Sequence, residues 1–279
     1  MKYPHYLDYS PEATQRCESA LLSVLATLSD FRDDLVLVGG LAPRYLCKPA
    51  GAGPHPVTMD VDLGIALGAS SGQYESVAIR LANNGFVPEQ AAPGHPRNRL
   101  VKKMPDKSSL ILDLLTEKPN PDAPDSVQVE GLWMDAYPGI TRALRLFREV
   151  PVRGTDLLGA TVEEFIKVSE IGPFLCLKLS GYAGRAESKD VFDIVYSVKN
   201  YDRGPDEAAR LFREEADCNP AYESALRILE RRFLEEGAKG PTQYADFLTS
   251  GQRGPEVREE RARLANETVD VAIRLLGRP

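Results

Sequence analysis

The run Thr58-Met59-Asp60-Val61-Asp62-Leu63 sets two carboxylates two residues apart in an apolar stretch. In an extended strand that spacing sends both acids to one face, while Val61, Leu63 and Ile65 take the other. A third acid, Asp113, stands between Leu110-Ile111-Leu112 and Leu114-Leu115, where burial without a partner would be costly. An adjacent strand can bring it to the same edge as the first two. Three carboxylates gathered there repel one another unless a cation neutralises them. Mg²⁺ or Mn²⁺ suits such hard oxygen donors, and divalent ions in this setting clamp the attacking and leaving oxygens of phosphoryl or nucleotidyl transfer. Gly39-Gly40 closes the apolar run Leu35-Val36-Leu37-Val38 and would let backbone N–H groups approach a nucleoside triphosphate, because no Cβ intervenes. Taken singly, the acids read as a wet strand face and the glycines as a turn. Their combination is what points to Asp60, Asp62 and Asp113 as a metal-dependent catalytic centre.

A second constellation lies in LCLKLSGYAGRAESKDVFDIVYSVKNY, residues 175–201. On one continuous helix Lys178, Arg185, Lys189 and Asp193 fall within about 80° of arc. The cations would meet phosphates and the carboxylate would anchor one of them. An internally salt-bridged surface helix is the competing reading, and Gly181 and Gly184 leave the helix's continuity open. Two basic segments, RNRLVKKMPDK at 97–107 and the triplet Arg142, Arg145, Arg148 on a predicted helix, could track a nucleic-acid backbone or could be ordinary solvated surface. Trp133, Tyr137 and Tyr182 could stack a base. His5, His55 and His95 are isolated in proline-rich loops, which gives no support to a histidine metal site or a Ser-His-Asp hydrolase. Neither a Walker-type nor a dinucleotide-binding glycine motif is present.

These residues need elements to hold them. Helical spacing predicts a helix over residues 10–30, then strands at 35–38 and 57–67, a helix at 74–84 ending at Gly85, and strands at 99–104 and 110–116. The proline-rich KPNPDAPD, 118–125, reads as a boundary or a long surface loop. Beyond it a short strand at 150–153 is expected, then helices at 162–168, 174–182, 189–200, 206–215, 221–235 and 253–276. With 279 residues, 43% apolar, the chain can bury a core without disulfides or metal staples. Its net charge of −7 excludes a generic basic coat for nucleic acid, so any such grip must be local. Four scattered cysteines, no uninterrupted apolar run of membrane-spanning length and no leader-like N-terminus predict a cytoplasmic protein with no membrane association.

The arrangement LVLVGGLAPRYL, TMDVDLGI, LILDLLTE and FLCLKLSGYAGRAESKDVFDIVYSVKNY resembles the AbiEii/AbiGii toxin type of nucleotidyltransferase, a branch of the polymerase-beta-like superfamily, over residues 35–201. The resemblance matches a glycine turn at Gly39 and Gly40, a T-x-D-h-D strand with Asp60 and Asp62, a later acid at Asp113, and a helical block with Lys178, Arg185, Lys189, Asp190 and Asp193. It departs in having Gly-Gly where members often carry Gly-Ser, and in the lengthened segment CKPAGAGPHPV. What it implies is an α+β fold, a polymerase-beta-like mixed sheet with a mostly helical C-terminal half. Residues 1–120 would form the nucleotidyltransferase core, and 121–279 a helical region closing the cleft. It further implies Mg²⁺-dependent transfer from an NTP, with Lys178 joining the three acids in catalysis and Gly39, Gly40, Lys178, Arg185, Lys189 and Asp193 binding nucleotide. The acceptor would be the tRNA 3′ end, and the protein the toxin of a pair with a cognate antitoxin. The competing readings are an adenylyltransferase acting on a small molecule or protein, and a catalytically silent nucleotide-binding or interaction module.

Overall fold

Every residue of the run Leu35–Val38 is buried, and the strand it forms lies inside a mixed sheet. The computed structural model describes residues 3–51, 54–67, 72–90 and 96–278. Among them the strands are β1 (Leu35–Val38), β2 (Asp60–Ile65), β3 (Val87–Gln90), β4 (Pro96–Lys103), β5 (Ser109–Glu117), β6 (Ser126–Val129), β7 (Leu132–Tyr137), β8 (Phe147–Thr155) and β9 (Thr161–Ser169). The α-helices are α1 (Pro11–Thr27), α2 (Pro43–Leu46), α3 (Gln73–Asn83), α4 (Ile140–Arg145), α5 (Ile171–Arg185), α6 (Ser188–Asn200), α7 (Pro205–Arg213), α8 (Tyr222–Arg232), α9 (Lys239–Leu248) and α10 (Pro255–Leu276). The fold is α+β, as expected. The chain divides into two units, one of Pro11–Ala42 and Thr58–Ser169, the other of Met1–Ser10, Pro43–Val57 and Glu170–Pro279.

The first unit holds the sheet, in the order β3-β4-β5-β2-β1-β9-β8, with β7 also on β5 and β6 on β7. Pairing is antiparallel between β1 and β2 and between β4 and β5, but parallel between β2 and β5 and between β1 and β9. Leu21, Leu22, Val24 and Leu25 of α1 are buried, as are Val61, Leu63, Leu112 and Leu114 of the sheet. Each such side chain taken fully from water contributes roughly 1.5–3 kcal/mol.

Two sequence expectations change here. Residues 162–168, read as a helix, are the core of β9, which pairs along its whole length with β8. Val162, Phe165, Ile166 and Val168 fit either period, but Phe165 is exposed, and the remaining three alternate as a strand requires. Arg142 and Arg145 lie on α4, whereas Arg148 lies on β8, so the three arginines do not share one helix. The segment 118–125, read as a boundary or a long surface loop, is the connection between β5 and β6.

The second unit is built from α2 and α5–α10. Phe192 of α6 centres an aromatic cluster, with ring centroids 5.6 Å from Tyr6, 5.6 Å from Tyr196 and 5.3 Å from Phe247. The helical region at 174–200 is broken at Ala186, whose left-handed φ of +52° ends α5, and not at either glycine. Helix α9 escaped the sequence reading because Gly240 and Pro241 look like breakers, yet proline is tolerated in a first turn. The excursion Pro43–Val57 is stitched in by a bridge between Cys47 and Tyr201 and by the Lys48 N–H donating to the Asn200 carbonyl at 2.9 Å. No helix among the described residues is long and apolar enough to cross a membrane.

Candidate active site

The register of the sheet assembles the acids. Asp62 of β2 is the cross-strand partner of Asp113 of β5, and Asp60 precedes it by two residues on the same face. One oxygen from each of Asp60, Asp62 and Asp113 falls within 4.8 Å of the others. The structure thus brings together the three acids that the sequence singled out. Slipping either strand by one residue would turn its acids to the opposite face.

Each carboxylate has a holder. Thr58 is fully buried, and its N–H donates to the Thr14 hydroxyl of α1 at 3.1 Å. The Thr58 hydroxyl in turn donates to Asp60 Oδ1 at 2.7 Å. Asp62 Oδ2 accepts the Gly40 N–H at 3.3 Å, which links the second acid to the glycine turn. Asp113 is 8% exposed and accepts two guanidinium bonds, from Arg99 Nε at 2.9 Å and Nη2 at 2.7 Å. Burial pushes the Asp113 carboxyl above the usual carboxylate range, opposed by Arg99 and reinforced by Asp60 and Asp135. The bonds to Asp113, followed by the charges of Asp60 and Asp62, raise Arg99 above its ordinary value.

The glycine turn is built for close approach. Gly39 has φ +68°, and a Cβ there would overlap the Asp62 carboxylate. Gly39→Ala is therefore expected to cost about 1–2 kcal/mol for the left-handed backbone alone, and to push Asp62 out of place. Urea denaturation together with a Mn²⁺ titration checks this; a variant with unchanged midpoint and unchanged ion affinity would contradict the assignment of Gly39 to the site.

Lys178, Arg185, Lys189 and Asp193 come together in the helical unit, joined by Asp190. Lys178 Nζ lies 2.6 Å from Asp193 Oδ2 and 3.5 Å from Asp190 Oδ1. Lys189 Nζ donates to both oxygens of Asp193, at 2.9 and 2.7 Å. Lys178, Lys189, Asp190 and Asp193 are 6%, 2%, 0% and 1% exposed. Only Arg185, bonded to Asp190 at 3.2 Å, has a side chain substantially in solvent. The competing sequence reading expects internal salt bridges; Lys189–Asp193 is one within α6, while Lys178 and Arg185 pair across from α5 to α6, and the lysines and acids are buried inside the unit and not along a surface.

Three contributors escaped the sequence reading. Arg99 counted only as one cation of a basic segment, Thr58 only as a motif letter, and Thr14 as a helix residue. Strand spacing could have placed Arg99 near Asp113 once β4 and β5 were paired, and nothing local marked Thr14. In the basic segment, alternation along β4 puts Lys103 on the face of Arg99 and Lys102 on the other, where its ammonium lies 5.6 Å from the Phe86 ring centroid. His95 and the Arg97 side chain lie outside the described residues.

No protein-family model matches this sequence, and no curated protein is similar to it. Among solved structures, the chain is similar to an antigenic nucleotidyltransferase-like protein from Paracoccidioides brasiliensis, with 18% identity, a TM-score of 0.42, and coverage of 77% of this chain and 94% of that one. It is also similar to a CD-NTase from Bradyrhizobium diazoefficiens solved in complex with GTP, with 8% identity, a TM-score of 0.24, and coverage of 90% of this chain and 79% of that one.

Proposed function

We propose that the protein is a metal-dependent nucleotidyltransferase that moves a nucleotide from an NTP to an acceptor. The observation that carries this reading is the convergence of Asp60, Asp62 and Asp113, with oxygens within 4.8 Å, beside the Gly39-Gly40 turn. An all-carboxylate donor set fits Mg²⁺ or Mn²⁺. When bound, the ion supplies Lewis acidity to the phosphate oxygens and offsets the charge that gathers in the transition state. Thr58 and the Gly40 N–H hold Asp60 and Asp62 in place for it, and the absence of a side chain at Gly39 keeps the turn close to Asp62. Transfer replaces the bond from the α-phosphorus to the bridging oxygen with one to the acceptor hydroxyl, releasing pyrophosphate and a proton.

The acceptor we propose is the tRNA 3′ end, with the protein acting in the cytoplasm as a toxin held in check by a cognate antitoxin. Its support is the resemblance of LVLVGG, TMDVDL and LILDLL, with the later KDVFD block, to that toxin family. Incubation with α-³²P-labelled NTPs, Mg²⁺ and tRNA tests it. Label on the tRNA 3′ end is expected; label on a small molecule or protein instead would move the assignment to an adenylyltransferase, and no metal-dependent transfer to any acceptor would leave a silent module.

The basic strand makes a finer expectation. Lys103 shares the acid face about 13 Å along β4 from Arg99, while Lys102 is turned away. Lys103→Glu should raise KM for tRNA and steepen neither NTP binding nor folding, whereas Lys102→Glu should leave KM for tRNA unchanged. Steady-state kinetics at several salt concentrations decides this, since lost phosphate contacts also flatten the salt dependence. Equal effects of both lysines would remove β4 from the acceptor path.

A further inference from the structure

Tyr6, Tyr196 and Tyr244 line a cavity of about 570 Å³ whose walls all belong to the helical unit. Small-molecule sites run from about 300 to 1,000 Å³. Phe192 of α6 packs against all three tyrosines, with ring centroids 5.6, 5.6 and 6.4 Å away, so core packing and not a loop sets the aromatic wall. Tyr244 is 4% exposed, yet its hydroxyl has no hydrogen-bond partner among the described residues. A buried polar group left in that state is rare and calls for a ligand or a water. Burial pushes the Tyr196 hydroxyl up to about 12 and raises that of Tyr244 as well, so both remain donors at neutral pH.

The charges around the cavity select what can enter. Lys199 Nζ lies 2.6 Å from Glu267, and Arg263 pairs with Glu260 at 2.6 Å and with Glu267, so two cations and two acids of the lining cancel. An anionic ligand would meet Glu260 and Glu267, and a cationic one Lys199 and Arg263. An uncharged ring avoids both. A bare hydrocarbon ring would in turn leave the Tyr244 hydroxyl unpaired. We infer that this cavity is a second binding site, which takes the uncharged base of a nucleoside by stacking on tyrosine and by a hydrogen bond to the Tyr244 hydroxyl. A flat heteroaromatic base carries both the π face and the polar edge that such a wall can hold. The site shares no residue with the carboxylate cluster and requires no metal.

Calorimetric titration of the full chain with adenosine, guanosine, cytidine and uridine, in EDTA and without divalent ions, tests this. At least one nucleoside should bind at one site with Kd below about 1 mM. Its 5′-monophosphate should bind within about fivefold of it, because the paired charges of the rim leave no net attraction for phosphate. Tyr244→Phe deletes only the hydroxyl, and should leave the melting temperature unchanged while weakening the nucleoside about fivefold, the cost of one net hydrogen bond. Tyr6→Leu, which removes a ring from the wall, should weaken it by about fivefold or more. Asp60→Ala should bind the nucleoside as wild type does, which separates this cavity from the proposed transfer site. No nucleoside binding by wild type, unchanged affinity in Tyr244→Phe, a monophosphate far tighter than its nucleoside, or loss of binding in Asp60→Ala would overturn the inference without touching the transfer reading. Indole binding as tightly as any nucleoside would overturn it too, by making the wall a general aromatic surface.

Discussion

Asp60→Ala and Asp62→Ala are each expected to lower nucleotide transfer by at least about a hundredfold, because even partners one step removed from a metal cost 10–100-fold when lost. The melting temperature should move little. Each substitution loses a hydrogen bond, from Thr58 or from Gly40, worth about 1 kcal/mol net, and relieves repulsion among three neighbouring acids. The two contributions oppose each other. Transfer assays with labelled NTP and parallel thermal melts separate catalysis from stability. If either variant keeps wild-type turnover, the three acids are a charged strand face and no more. If both collapse in the melt, the acids serve the fold, and their lost activity says nothing about the metal.

The second large effect lies in the helical unit. Asp193 accepts from Lys178 at 2.6 Å and from Lys189 at 2.9 and 2.7 Å, and both lysines are almost entirely buried. Asp193→Ala would take the shortest ion pair from each of these two ammonium groups, leaving Asp190 3.5 Å from Lys178, and removing one partner of a buried ion pair costs about 3–5 kcal/mol. Natural stabilities of about 5–15 kcal/mol make that a large fraction of the whole. Urea denaturation should show the loss as a lowered midpoint, and Lys178→Met with Lys189→Met, which empties the cluster of lysine charge, should be milder than the sum of the single changes. A midpoint shift below the equivalent of about 1 kcal/mol for Asp193→Ala would place the cluster on the wet side of the protein. NTP affinity of the lysine variants then tells whether these groups have a second role at phosphate, as the helical block of the resemblance implies.

How far the site could be read in advance depends on distance along the chain. Asp60 and Asp62 were legible because period-two alternation is local, and Asp113 because an acid inside five apolar residues is conspicuous. Their meeting was only an expectation, since the parallel pairing of β2 with β5 joins residues some fifty apart and is decided by the whole sheet. Arg99 was invisible as a partner for the same reason: its neighbour is set by the β4–β5 register. The lysine network shows a different limit. Spacing gave the shared helical face, but whether that face meets water or another helix depends on packing, and the break at Ala186 folds α6 back so that Asp190 and Asp193 reach Lys178. Helix 162–168 failed because four apolar residues in seven satisfy both periods, and the exposed Phe165 tipped the pattern the wrong way.

The threading of the chain between its two units sets an order on synthesis. The helical unit takes in Met1–Ser10 and Pro43–Val57, yet the rest of it begins only at Glu170. On a ribosome adding about 5–20 residues per second, the Cys47 segment emerges many seconds before Tyr201, the residue it bridges, exists. Sheet residues through Ser169 can pair while that segment waits as an unfilled loop, so the acid cluster can form on a nascent chain whose helices are still unmade. Truncation from the C-terminus should accordingly leave soluble sheet-bearing fragments only when they extend to Ser169, and no single cut can yield the helical unit as one contiguous piece.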